Sequence, residues 1–258
     1  MTVAEFVAAE FVTSPGLPAR HGFFTRRGGV SQGDYASLNC ALAGQDARAV
    51  VLENRARAAC ALGVDPGLLV GLTQVHGIEV ARVEAPWLPG QGPRADAAVT
   101  DRAGIAIGIV TADCAPVLFA DAAAGVVGGA HAGWRGAVAG VLEATIVAME
   151  ALGARRERIV AVVGPCIGQA SYEVAADLRD AVLVHDAADA RFFVPGRPQR
   201  WQFDLAGYCG HRLHAAGAGT VELLGLDTLA EADRFFSHRR RTLAGGGAIG
   251  HQMSVIVL

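Results

Sequence analysis

The chain contains no lysine: its 22 basic residues are all arginine. That absence removes Schiff-base catalysis, pyridoxal attachment and the lysine of a phosphate loop. Charge is sparse, with 22 basic against 25 acidic residues, a net charge of −3 and 18% charged residues in 258. A basic footprint for nucleic acid or for an anionic membrane is therefore not expected. Cysteine is scarce and odd in number, five at positions 40, 60, 114, 166 and 209 with no CxxC pair. A disulfide framework is not expected in a chain of this length, and a reducing, cytoplasmic setting is. Long uncharged runs are missing too, because Asp113, Asp121 or Glu143 interrupts each apolar stretch before it reaches membrane-spanning length. The start, MTVAEFVAAE, carries Glu5 and Glu10 where a secretory leader has a positive segment. Without Pro/Ser tracts, charge blocks or solenoid repeats, residues 1–258 read as one domain.

What is present is apolar. Hydrophobic residues make up 52% of the chain, ample for a sizeable core. A helix is expected from Ala47 to Leu62 with a stop at Gly63, and another from Gly136 to Leu152 with a cap at Gly153. Helices are also expected over Tyr172–Val184 and Leu205–Ala216. Strands are expected over Gly71–Val83 (interrupted at Gly77), Ile105–Val110, the VLFAD segment, Val126–Ala130, Ile159–Val163 and the C-terminal MSVIVL. Several strands follow one another without an intervening helix, so the fold class is α+β, mixed α/β, with a mixed sheet rather than a purely parallel one.

Three polar residues fall where apolar segments end: His76 in LTQVHGIEV, Cys114 in TADCAP and His131 in GGAHAGWRG. Two imidazoles and a thiolate suit zinc, and three protein ligands leave a fourth position open. Their separations are too long for a finger but compatible with delivery by separate strand ends. The same residues equally fit a thiolate nucleophile, Cys114, with His131 as its base. A His or Cys beside glycine is also commonly a packed turn residue, and composition does not separate these readings. Asp113 fits either an orienting carboxylate or a turn that closes a strand. The segment Gly245–Gly250 formally matches GxGxxG, but too few residues follow it for a βαβ unit, so a dinucleotide site is rejected.

Taken in order, HGFFTRRGGVSQGDYASLN, QVHG, ADAAVTDRAGIAIGIVTADCAPVLFAD, AHAGWRGAVAGVLE, GPCIGQASYEV and FFSHRR resemble the YfiH-type purine nucleoside phosphorylases. That family is also called polyphenol oxidase, laccase-domain protein or peptidoglycan editing factor, and the match runs from His21 to the C-terminus. The resemblance implies a layered α/β/β/α domain related to toxin deamidases. It also implies a metal site made by His76, Cys114 and His131, holding Zn2+, with Cu2+ as the other possibility. The implied activity is phosphorolysis of adenosine, inosine and methylthioadenosine, with adenosine deamination beside it. Partners are then purine nucleosides and phosphate, not nucleic acid or membrane, for a monomer or weak homo-oligomer.

With no lysine, phosphate must be met by arginine, histidine, metal or backbone N–H groups. Arg135, four residues beyond His131, is the first candidate beside Cys114 and His131 as catalytic groups, followed by Arg26, Arg239 and Arg240. Asn39, Gln74, Asp113 and Tyr172 are expected to contact substrate. The tail departs from the family pattern, with His238 in FFSHRR, a glycine run after it, and His251 near the place of an expected arginine. Laccase-type chemistry over a multicopper centre is not expected, since the eight histidines include no HxH pair. Removal of misincorporated L-serine from a cell-wall precursor is the alternative enzyme reading, and a Cys–His hydrolase without metal is another.

Overall fold

Apolar side chains on both faces of successive strands require a layer on each side. The computed structural model describes residues 8–258; the acidic start at Glu5 lies outside the described residues. In chain order the strands are β1 (Phe11–Val12), β2 (Arg20–Phe24), β3 (Leu69–Gly71), β4 (Val80–Arg82), β5 (Ala97–Thr100), β6 (Ala106–Thr111) and β7 (Ala115–Asp121). They continue with β8 (Val126–Ala132), β9 (Val160–Val163), β10 (Glu173–Val174), β11 (Phe193–Pro195), β12 (Trp201–Phe203), β13 (Thr220–Leu223) and β14 (Gln252–Val257). The α-helices are α1 (Arg48–Ala61), α2 (Trp134–Ala139), α3 (Val141–Glu150), α4 (Ala176–Leu183), α5 (Leu205–Ala215) and α6 (His238–Leu243).

Among the described residues the strands form a five-stranded sheet, β1-β2-β14-β6-β3, a six-stranded sheet, β13-β9-β7-β8-β5-β4, and a small sheet, β10-β12-β11. The two large sheets pack face to face, and the period of two along each strand sorts the side chains between layers. Phe23 on β2, Ile107 and Ile109 on β6 and Ile256 on β14 point inward to meet Leu118 and Ala120 on β7, Val127 on β8 and Val162 on β9. Their neighbours Phe24, Met253, Val255 and Val257 point outward and are covered by Ala58 and Ala59 of α1 and by Leu62. On the far side, Val117 and Phe119 meet Val141, Leu142 and Ile146 of α3 and Tyr208 and Leu213 of α5. The architecture is mixed α+β, layered helix–sheet–sheet–helix. Close approach of the sheets needs Gly129, where a Cβ would stand 3.1 Å from Ile109 and 3.2 Å from Ile107.

Several expected elements differ in detail. The helix expected over 136–152 is two helices, because Gly140 adopts φ 107° between α2 and α3. The stretch expected as strand over 71–83, interrupted at Gly77, is strand only where β3 ends and in β4, and the residues between form a loop that carries His76. The segment expected to be helical from Tyr172 begins with β10 and turns helical at Ala176. Expectation and structure agree to within a residue or two for α1, α5, β6, β9 and β14.

Candidate metal centre and its cavity

The site is assembled around a carboxylate. Asp96 immediately precedes β5 and is fully buried. Its Oδ1 and Oδ2 accept backbone N–H groups from Val75 (3.2 and 3.1 Å), His76 (2.9 Å) and Gly77 (2.7 Å). Those bonds close the loop between β3 and β4 and stabilise His76 at φ 60°, a left-handed conformation that a non-glycine residue rarely adopts. The same carboxylate receives the Nδ1 side of His131 at 2.8 Å, so the Nε2 of that ring is left for a ligand. Asp96 therefore aims both histidines. Cys114 follows Asp113, which has φ 87° in the turn from β6 to β7. Its sulfur lies 3.7 Å from His76 Nε2, and the donor atoms of His76, Cys114 and His131 all lie within 4.8 Å of one another.

Burial pushes the Cys114 thiol up, but the His131 and His76 rings beside it outweigh burial and bring it down to about 6. Burial alone would lower His131, yet the facing Cys114 thiolate and Asp96 raise it to about 9. Burial also opposes ionisation of Asp96, but its hydrogen bonds from His131, Gly77 and Val75 hold the carboxyl below its ordinary value. A thiolate facing two imidazoles, one oriented by a carboxylate, is a donor set that fits a borderline-soft divalent ion. The backbone leaves room beside these donors only because residue 133 is glycine. A Cβ there would lie 2.8 Å from the His76 ring and 3.0 Å from the Cys114 sulfur.

The triad opens into a cavity of about 780 Å3 lined by Gln74, Thr111, Trp134, Arg135, Tyr172 and Arg239, among others. Arg135 is exposed and stacks over the Trp134 ring at 4.4 Å. Tyr172 is half-buried beneath the Arg239 guanidinium, 5.4 Å from its ring, and burial raises its phenol well above the ordinary value. Gln74 lines the cavity, but both ends of its amide are engaged by the Val110 backbone, at 2.8 and 3.0 Å. Asp113 accepts from Thr228 Oγ1 (2.6 Å), Ser237 Oγ (3.0 Å) and the Arg239 backbone N–H (2.6 Å), pinning the FFSHRR segment beside Cys114.

Three residues expected at the substrate lie elsewhere. Asn39 is buried in a loop brace, donating to Asp46 and accepting from the N–H groups of Ala41 and His251. Arg26 donates to the carbonyls of Ala36 and Ala232 and stacks on Phe236. Arg240 donates to the carbonyls of Phe235, Thr228 and Leu229. Each is taken up by backbone acceptors or turn contacts, and none lines the cavity. The sequence reading missed Asp96, the first of two carboxylates in ADAAVTD, and it missed Arg55 and Thr111 on the cavity wall. An acid opening an apolar run that must be buried needs buried donors, but nothing in the sequence names them, so the segment alone does not assign Asp96 its role.

Comparison with known proteins adds an independent line. Residues 20–258 match the family described as "Multi-copper polyphenol oxidoreductase laccase". A Deinococcus radiodurans protein named purine nucleoside phosphorylase is 42% identical over 257 residues, covering 96% of this chain and 95% of that one. An Escherichia coli protein named purine nucleoside phosphorylase YfiH is 39% identical, covering 86% and 88%. Among solved structures, a Neisseria meningitidis protein superposes with TM-score 0.85 at 36% identity, over 97% of this chain and 98% of its own. YlmD from Geobacillus stearothermophilus superposes with TM-score 0.86 at 29% identity, over 96% and 98%.

Proposed function

The chain belongs to the family described as multi-copper polyphenol oxidoreductase laccase, and from that premise we propose that it is a zinc-dependent purine nucleoside phosphorylase with adenosine deamination as a second activity. The observation that carries the reading is the His76–Cys114–His131 cluster at the end of a cavity whose walls hold several arginines. Among the described residues, the only carboxylate lining that cavity, Asp113, is already engaged by three donors. A nucleoside and a phosphate dianion fit such a chamber, and a cationic substrate does not.

His76, Cys114 and His131 would hold the ion, and zinc suits two imidazoles and a thiolate better than a multicopper arrangement does. When bound, the ion supplies Lewis-acid charge at the end of the cavity. The chain's own residues do the rest. Asp96 keeps His131 in one tautomer and fixes the His76 loop. Trp134 and Tyr172 provide flat walls for a purine. Arg135 and Arg239 bring positive charge to the chamber, and Arg135, being exposed, meets an incoming anion first. In phosphorolysis a phosphate oxygen bonds to the ribose C1′ as the C1′–N9 bond breaks, and the base leaves with a proton. Arginines near C1′ then lower the barrier by keeping the nucleophilic anion in place.

The experiment is to count metal per chain and incubate the loaded protein with adenosine, with and without phosphate. About one zinc per chain, with adenine and ribose 1-phosphate formed only with phosphate, is the expected result; inosine formed without phosphate adds the deaminase. One feature favours a second reading: Cys114, His131 and Asp96 stand in the order of a thiolate, a base and its orienting carboxylate. A metal-free preparation with full hydrolytic turnover would establish that reading. His76, a second imidazole on the same sulfur, argues for the metal.

A further inference from the structure

A non-glycine residue at positive φ persists only where its surroundings hold it there. The turn before Cys114 contains such a residue, Asp113, at φ 87° and 9% exposed. Its carboxylate is held by three donors, all from the stretch 228–239. They are Thr228 Oγ1 on Oδ1 at 2.6 Å, Ser237 Oγ on Oδ2 at 3.0 Å and the Arg239 N–H on Oδ2 at 2.6 Å. Its carbonyl accepts the Ile167 N–H at 2.9 Å. None of these partners belongs to the turn itself, so the residue that directs Cys114 is fixed from outside. The donor set of the metal centre does not include Asp113.

The same bonds build one wall of the cavity. Ser237 Oγ also accepts the Arg240 N–H at 3.1 Å and so caps α6. Arg239, its backbone held by Asp113, donates from Nη1 to the Glu173 carbonyl at 2.8 Å and lies over the Tyr172 ring. His238, Arg239 and Tyr172 all line the cavity. Contacts therefore run unbroken from the Cys114 turn through the Asp113 carboxylate to α6 and on to Tyr172. Helix α6 buries none of its own residues, so its first turn depends on what is clasped to it. The Arg240 guanidinium ties α6 to the carbonyls of Thr228, Leu229 and Phe235, within its own stretch of chain. The Asp113 bonds join that stretch to Cys114.

We propose that Asp113 is a positioning residue that couples occupancy of the metal centre to the order of the α6 wall. An ion that holds the Cys114 sulfur holds the Asp113 turn, and through it the first turn of α6. Such a coupling is reciprocal, so the clasp strengthens metal binding by the factor by which metal strengthens the clasp. It rests on the metal reading of His76, Cys114 and His131 and not on the phosphorylase reading. The test follows hydrogen exchange of the Arg239 amide, the clasp's own N–H, by residue-resolved mass spectrometry with and without zinc. Zinc affinity is measured beside it by chelator competition, for wild type, Asp113→Gly and Thr228→Val. Glycine accepts φ 87° without a side chain, so Asp113→Gly keeps the turn and loses the clasp. Thr228→Val removes one donor and keeps its shape. Zinc should slow the wild-type Arg239 amide about tenfold. Asp113→Gly should bind zinc about tenfold more weakly, and at saturating zinc its Arg239 amide should exchange at the zinc-free rate. Thr228→Val should show about threefold effects in both readouts, and it decides alone if Asp113→Gly does not fold. A merely structural tie would speed Arg239 exchange equally with and without zinc and leave zinc affinity unchanged, which overturns the coupling. Zinc that slows the Cys114 amide but not the Arg239 amide in wild type overturns it too. A wild type that binds no zinc removes the metal reading and the coupling with it. Neither readout needs nucleoside turnover, so absent phosphorolysis with coupled exchange removes the phosphorylase reading alone.

Discussion

Asp96 does two jobs with one carboxylate, holding the loop of His76 and the ring of His131. Asp96→Asn keeps the shape but puts an N–H where an acceptor is needed, so at least one donor is orphaned. We expect metal affinity to fall about 10–100-fold, read by competition with a chromogenic chelator. A stability loss of about 1–3 kcal/mol should accompany it, read by denaturant melts of metal-free protein. The thiol offers a pH signature. In metal-free protein Cys114 is depressed from 9.0 to about 6, so its alkylation should rise through about pH 6 and level off above it, where an ordinary thiol is still climbing. Its contribution to stability is complete above the unfolded value and is lost as pH falls through about 6. His131, raised from 6.5 to about 9, contributes fully below 6.5 and loses its share as pH rises through about 9. The two slopes oppose each other between about pH 6.5 and 9, so the denaturant resistance of metal-free protein should change little across that range, and metal should protect Cys114 from alkylation. The three donors of the cluster were legible as residues, because each interrupts an apolar segment. Their orienting acid was not, because a lone aspartate before a strand reads as a turn until its donors are seen.

The elements that deliver these residues were legible where apolar runs are long. Strands β6, β7, β8 and β9 are continuous buried stretches, and no helical period competes with them. The small β10-β12-β11 sheet was not legible, since strands of two or three residues leave no period to detect. The loop between β3 and β4 mimicked a strand through its valine and isoleucine, yet Val75 and Ile78 are exposed and the loop follows Asp96 instead. At the junction of β8 and α2, Gly133 has φ −65°, so alanine there costs nothing in backbone conformation. The added methyl group would instead meet His76 and Cys114. Gly133→Ala should lose bound metal while the metal-free melt moves by less than about 1 kcal/mol, a split that metal analysis and calorimetry on one preparation will show. Gly140→Ala, by contrast, forces an L residue to φ 107° between α2 and α3 and should destabilise metal-free and loaded protein alike by about 1–2 kcal/mol.

At the scale of the molecule, the class was legible in the mixed run of strands and helices, and the pairing order was not. Nothing local says that β14 inserts between β2 and β6, since pairings so distant in sequence leave no neighbouring pattern. That insertion makes β14 indispensable: all six of its residues are buried, and it bonds to both neighbours. A chain cut before Gln252 should give no cooperative melt and no native near-ultraviolet dichroism, because two open strand edges and two unsealed cores remain.

The place of β14 also sets a timetable for synthesis. On the ribosome, β2 and β6 emerge early and must wait with facing edges unpaired until the last of the described strands clears the exit tunnel. During that interval Cys114 and His131 have been made, but the floor beneath them, where β6 runs beside β14, has not closed. The nascent chain therefore carries those edges open until its last described strand is free, and the His76, Cys114 and His131 donors reach their final spacing only once the finished sheet has closed beside them.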